Sequence, residues 1–188
     1  MLTLSVSLFG CADKANSSSE SKIKLYDDSN SYENPNDKYS ETNAPGERTE
    51  GKMNEKTAFK DCEINMTKVT LLDNGTESEN CYAAIFEITN NSNEEMEVSS
   101  LADFIIKTDD GKSYEGVSTE ADAIASKIIK DAERLNKSIK AGETFKGFIT
   151  FKIPSGWKNL EILYIPGTDN ESKDSVYYNV TPDMITES

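Results

Sequence analysis

From residue 58 onward, large apolar side chains recur with the two-residue period of strands that bury one face. Cys62, Ile64 and Met66 alternate, and Val69 and Leu71 resume in the opposite phase, which places a β-bulge near Thr67. Asp73-Asn74-Gly75-Thr76 reads as a turn. Tyr82, Ala84, Phe86 and Ile88 then form a strand that stops at Asn90-Asn91-Ser92-Asn93. Shorter strands are expected over 96–98 and 104–106, with Asp109-Asp110-Gly111-Lys112 as the hairpin turn before Tyr114. Phe145, Gly147, Ile149, Phe151 and Ile153 mark the longest one-faced strand, and Lys146, Phe148, Thr150 and Lys152 fall on its other face. Pro154-Ser155-Gly156 closes it, and residues 160–165 and 176–180 supply the last strands.

One segment changes period. Ala121, Ile124, Ala125, Ile128, Ile129, Ala132 and Leu135 follow the three-and-four spacing of an amphipathic helix over 120–135. Thr119 and Asp122 resemble a capping pair at its start, and Arg134 sits at its far end, where the helix dipole favours a cation. Short strands, frequent turns and this single helix predict a mostly β fold: an immunoglobulin-like antiparallel β-sandwich with one inserted α-helix lying across one end.

Residues 12–57 show neither period. Ser, Asn, Asp, Glu, Lys, Gly and Pro dominate, in runs such as NSSSESK and APGERTEGK. Too little apolar surface is present to offset the entropy of ordering, so a disordered tether is expected, about 35–40 Å in root-mean-square span. Ahead of it, residues 1–11 read MLTLSVSLFGC. This apolar run is far shorter than the roughly 20 residues of a membrane-spanning helix and matches the hydrophobic core of a signal peptide. Leu8-Phe9-Gly10-Cys11 resembles a lipobox. That resemblance implies a diacylglycerol on the Cys11 thiol, cleavage before it, and a location on the outer face of the cytoplasmic membrane. No basic residue precedes the apolar run, so the initiator is expected upstream. The domain expected to do the work is 58–188.

The motifs Phe86-Glu-Ile-Thr-Asn-Asn-Ser-Asn93, Asp103 to Tyr114, Ile139 to Pro154 and Leu160-Glu-Ile-Leu-Tyr164 occur in that order. Together they resemble the telokin-like immunoglobulin-type domain of Gram-positive lipoproteins (domain-of-unknown-function family 4352). The resemblance implies the sandwich fold and brings no catalytic residues with it.

Composition narrows the chemistry. The formal charge is −14, which opposes binding to nucleic-acid phosphates. The chain has no histidine, which removes Ser-His and Cys-His nucleophile pairs and most zinc sites. No cofactor is expected. Asp103, Asp109, Asp110 and Glu115 invite a calcium reading, but their spacing is not that of an EF-hand loop, and a hairpin turn accounts for the DDGK run. No metal site is therefore expected. Asn74-Gly75-Thr76 and Asn170-Glu171-Ser172 read as loop residues rather than glycan acceptors. Trp157, Tyr164, Tyr177 and Tyr178 could face a ligand, although packing is the commoner use of such rings.

With Cys11 acylated, Cys62 and Cys81 remain as a candidate disulfide outside the cytoplasm. A simple hairpin centred on Asn74-Gly75 would set Cys62 opposite Glu87 and Cys81 opposite Lys68, which does not bring them together, so the pairing stays open. The function expected is a non-enzymatic binding or interaction domain for an envelope protein or small ligand. The alternatives are a structural or immunity-type envelope lipoprotein, or a hydrolase using paired carboxylates such as Asp103 and Glu115.

Overall fold

The computed structural model describes residues 46–76, 78–167 and 174–187. The expected signal segment, the lipobox with Cys11, the tether up to residue 45 and Asn170 lie outside the described residues.

In chain order the strands are β1 (Arg48–Gly51), β2 (Thr57–Phe59), β3 (Cys62–Thr76), β4 (Glu79–Asn90), β5 (Met96–Ser99), β6 (Phe104–Thr108) and β7 (Ser113–Glu115). Helix α1 (Thr119–Ile128) follows, then β8 (Glu133–Arg134), β9 (Asn136–Ile139), β10 (Thr144–Pro154), β11 (Leu160–Tyr164) and β12 (Ser175–Val180). A 3-10 turn (Pro182–Met184) leads into β13 (Ile185–Glu187). One sheet has the order β1-β12-β11-β6-β7, the facing sheet has β13-β3-β4-β10-β8, and β5 pairs with β9 in a separate ribbon. The result is a mostly β sandwich with one helix. Its interior pairings are antiparallel, while the edge strands β1, β8 and β13 join in parallel.

The inward residues of both sheets meet in one core. Phe86 and Phe104 lie 5.1 Å apart between ring centroids, Phe104 and Tyr164 5.1 Å, and Tyr82 and Phe151 5.5 Å. Phe145, Ile149, Phe151 and Ile153 are buried in this core, as the alternation in β10 predicts. The bulge expected near Thr67 is present between Met66 and Lys68. Two further shifts, at Leu71/Asp73 and Asp73/Thr76, carry β3 past the expected turn, and the hairpin closes between Thr76 and Glu79 instead.

The helix differs from expectation in three ways. It ends at Ile128, because Ile129 is already extended (φ −85°, ψ 112°). Ser118, rather than Thr119, caps it by accepting from the Ala121 amide at 3.4 Å. It covers the outer face of the β3-β4-β10 sheet rather than one end of the sandwich. That face carries Leu72, Cys81, Ala83, Ile85 and Phe148, an apolar surface that needs a cover, and Ala121, Ala125 and Ile129 supply it. Leu135, the last residue in helical spacing, is instead buried in the inner core. A single straight helix cannot place Ala121 outside the sheet and Leu135 inside it. Gly147 makes the room: a Cβ there would lie 2.7 Å from the Leu135 side chain.

The two cysteines are not joined. Cys62 lies opposite Asn90 and Cys81 opposite Asp73, at the two ends of the β3–β4 hairpin. Roughly 30 Å of extended strand separates them, against about 6 Å between the Cα atoms of a disulfide. They also face different sides of the sheet, Cys62 in the inner core and Cys81 beneath α1. The candidate pair is thus corrected to two separate buried thiols.

The domain starts earlier than residue 58. β1, within the expected tether, pairs with β12 from Arg48↔Ser175 to Gly51↔Tyr178. The Arg48 guanidinium lies 4.5 Å over the Tyr177 ring and pairs with Glu161. Backbone pairing and the Arg48 contacts hold this strand, which is why its polar side chains gave no alternation.

Candidate functional site

A groove of about 900 Å³ opens where β2 turns into β3, β4 leaves for β5 and β11 leaves for β12. Its walls come from residues 60–62, 90–99, 102–103, 136–138 and 166–167. Asn90 fixes the loop on one side. Fully buried at the end of β4, it donates through Nδ2 to the Glu94 carbonyl at 2.7 Å and the Ile139 carbonyl at 2.9 Å. Its Oδ1 accepts from the Ser92 amide and hydroxyl at 2.9 and 2.7 Å. The Asn91 amide then ties this loop to the β2–β3 turn by donating to the Asp61 carbonyl at 2.8 Å. An Asn with every group satisfied is a positioning device for the polar loop that follows it.

Strand β5 forms the long wall. The Ser100 amide donates to the Leu135 carbonyl at 2.6 Å on the β9 side. The Ser99 amide points the other way and donates to Asp103 Oδ2 at 2.7 Å, while the Asp103 amide donates to the Ser99 carbonyl at 2.9 Å. Strand alternation then sets the Met96 and Val98 amides toward β9 and the Glu97 amide and carbonyl toward the groove.

Asp103 is the buried acid of this site. Burial pushes its carboxyl up to about 6, against the opposing pull of the Ser99 and Gly167 amides. Burial also raises the Cys62 thiol to about 11, and that thiol lies 3.2 Å from the Phe59 carbonyl, to which it donates. Tyr164 is fully buried, and its hydroxyl has no hydrogen-bond partner among the described residues. Burial raises its ionisation well above the ordinary range, with Cys62 and Asp103 as its electrostatic neighbours.

The other residues singled out in the sequence scatter. Glu115 is exposed on β7 and does not line the groove, so Asp103 and Glu115 share no cleft. Asp109 accepts from the Lys158 amide at 3.1 Å. Asp110 belongs to the β6–β7 turn, with Gly111 at φ +82°; the Thr108 hydroxyl and Lys112 hold its carboxyl down to about 2. Among the described residues no group of three or more Cys, Asp or Glu is placed to hold a metal ion. Trp157 caps the core edge-on to Tyr82, donating to its hydroxyl at 3.2 Å. Tyr164 and Tyr178 are core residues, and Tyr177, like Trp157, is half-exposed. No helix among the described residues is long and apolar enough to cross a membrane. Of the sequence candidates, Asp103 and Cys62 reach the groove. Asn90 and β5 were visible only as a strand stop and a short strand.

The profile of a family described as Domain of unknown function (DUF5067) matches residues 33–164. No curated protein matches the chain. Among solved structures, a candidate lipoprotein of Bacillus subtilis, ycdA, superposes with a TM-score of 0.50 at 15% identity, over 68% of this chain and 38% of its own. This chain therefore spans little more than a third of ycdA. A candidate lipoprotein of Staphylococcus aureus gives a TM-score of 0.50 at 15% identity, over 71% of this chain and 97% of its own. An uncharacterised β-sandwich protein of Clostridium difficile gives 0.45 at 16% identity, over 75% and 99%. At these identities the likeness is one of fold.

Proposed function

Since the chain belongs to the DUF5067 family of domains of unknown function, we propose its role from the molecule itself: a non-enzymatic binding module, lipid-anchored outside the cytoplasm, whose ligand occupies the groove beside β5. The observation that carries this is the groove, walled by loops that Asn90, Asp61 and Asp103 hold in place. A groove of about 900 Å³ falls within the usual range of ligand sites. The lipobox-like Leu8-Phe9-Gly10-Cys11 supports the anchor, with the residues between Cys11 and the sandwich as a spacer. Two acyl chains hold a protein stably at a membrane where one does not. The relatives described as candidate lipoproteins point the same way. The telokin-like kinship read from the strand motifs belongs to this proposal as well. The absence of histidine and the separation of Asp103 from Glu115 support a binding role over hydrolysis.

Ala102 is exposed on the groove wall, so Ala102→Trp fills the groove without touching the core. The full chain should capture an envelope component that the variant fails to hold. Equal capture by both proteins would remove the groove from the account.

A further inference from the structure

We propose that the open edge of β5 is a strand-addition site for an extended polypeptide segment carrying lysine or arginine, which lies in the groove as a third strand of the β5–β9 ribbon. This deepens the groove reading above and rests on it. Among the described residues β5 pairs only with β9. All four of its residues, Met96 to Ser99, line the groove. Asp103, hydrogen-bonded to Ser99 on the side away from β9, is itself part of the groove wall, so the groove reaches the strand's open edge, and residues 136–138 of β9 carry it on across the ribbon. The edge is open at one place in particular. Asp103 already occupies Ser99, accepting from its amide and donating to its carbonyl, so the first available pair of backbone groups is that of Glu97. Asp103 thus sets where an incoming strand begins its pairing.

Charge selects the occupant. Asp61, Glu94, Glu95, Glu97 and Asp103 line the groove against two cations, and both cations are engaged. Lys137 lies 4.6 Å over the Phe145 ring, and Lys60 pairs with Asp174 at 3.3 Å. A charged edge residue such as Glu97 also keeps a strand from pairing with a copy of itself, since like charges would face each other. The same charge accepts a basic segment, so the device that blocks self-association favours this class of partner.

The test uses the full chain and three synthetic peptides of about ten residues: alternating threonine and lysine, alternating threonine and glutamate, and the lysine peptide N-methylated at every second amide. Fluorescence anisotropy should show the lysine peptide binding at least about tenfold tighter than the other two, the effect of two backbone hydrogen bonds or a few charge contacts. Glu97→Pro should abolish binding at an unchanged melting temperature, because the Glu97 amide points away from β9 and an edge proline costs no ladder bond. Glu97→Gln should weaken binding less. Should Glu97→Pro fail to fold, the N-methylated peptide on the parent protein still decides. Equal affinity for the methylated and unmethylated peptides, or binding of neither lysine peptide, overturns strand addition. If Ala102→Trp still abolishes envelope capture in that case, the groove reading stands without it.

Discussion

Burial lifts the Asp103 carboxyl from the ordinary 3.8 to about 6. Below about pH 3.8 the group is protonated in both the folded and the unfolded chain and has no differential effect. Between these values the folded state keeps a proton that the unfolded state has lost, so this residue makes stability fall as pH rises. Above about pH 6 the penalty is constant, on the order of 2–3 kcal/mol. Asp103→Asn keeps an oxygen to accept from Ser99, so it should match the parent near pH 3.5 and exceed it in stability above pH 7. Urea denaturation across that range checks this, and a constant difference at every pH would mean that the carboxyl is not strained by burial. The sequence marked Asp103 as a candidate acid, but its burial was illegible there. That burial is a tertiary property, and so is the opposing pull of the Gly167 amide, which reaches the carboxyl from a distant loop.

At the scale of elements, the helix shows where sequence periodicity ends and tertiary structure takes over. The alternation in β10 correctly placed Phe151 inward, and it placed Phe148 on the outer face, where only a covering helix would bury it. The cover is present. Phe148 is packed with Ala121, Ala125 and Ile129, and the Thr150 hydroxyl beside it donates to the Asp122 carboxylate of the helix. Arg134, expected at the helix C-terminus, instead returns to pair with Asp122 at 3.1 Å. Phe148→Ala and Phe151→Ala should each cost about 3–5 kcal/mol, the range for deleting a buried ring. Only the Phe148 change should release α1, seen as faster hydrogen exchange confined to residues 119–128. A Phe148 loss well below that of Phe151 would mean that the helix docks loosely. The bulge near Thr67 was legible because a phase change is written in the residues themselves. The helix end was not, because Ile129, Ala132 and Leu135 continue the spacing by coincidence while Gly147 draws Leu135 into the inner core.

For the whole molecule, the sandwich class followed from the alternation of about seven strands, since each strand's buried face is a local signal. The start of the domain did not follow, because β1 is held by backbone pairing with β12, far away in sequence. The groove was equally hidden, assembled from five separate stretches that no spacing rule connects. What unites anchor, spacer and groove is the claim that Cys11 becomes the lipid-bearing first residue of a domain displayed outside the cytoplasm. Intact mass and peptide spectra of the protein recovered from membranes of cells expressing its natural reading frame test that claim most directly. The account predicts an N-terminal peptide that begins at Cys11 and carries a diacylglycerol. A mature chain that retains residues upstream of Cys11, or an unmodified Cys11 thiol, would contradict it.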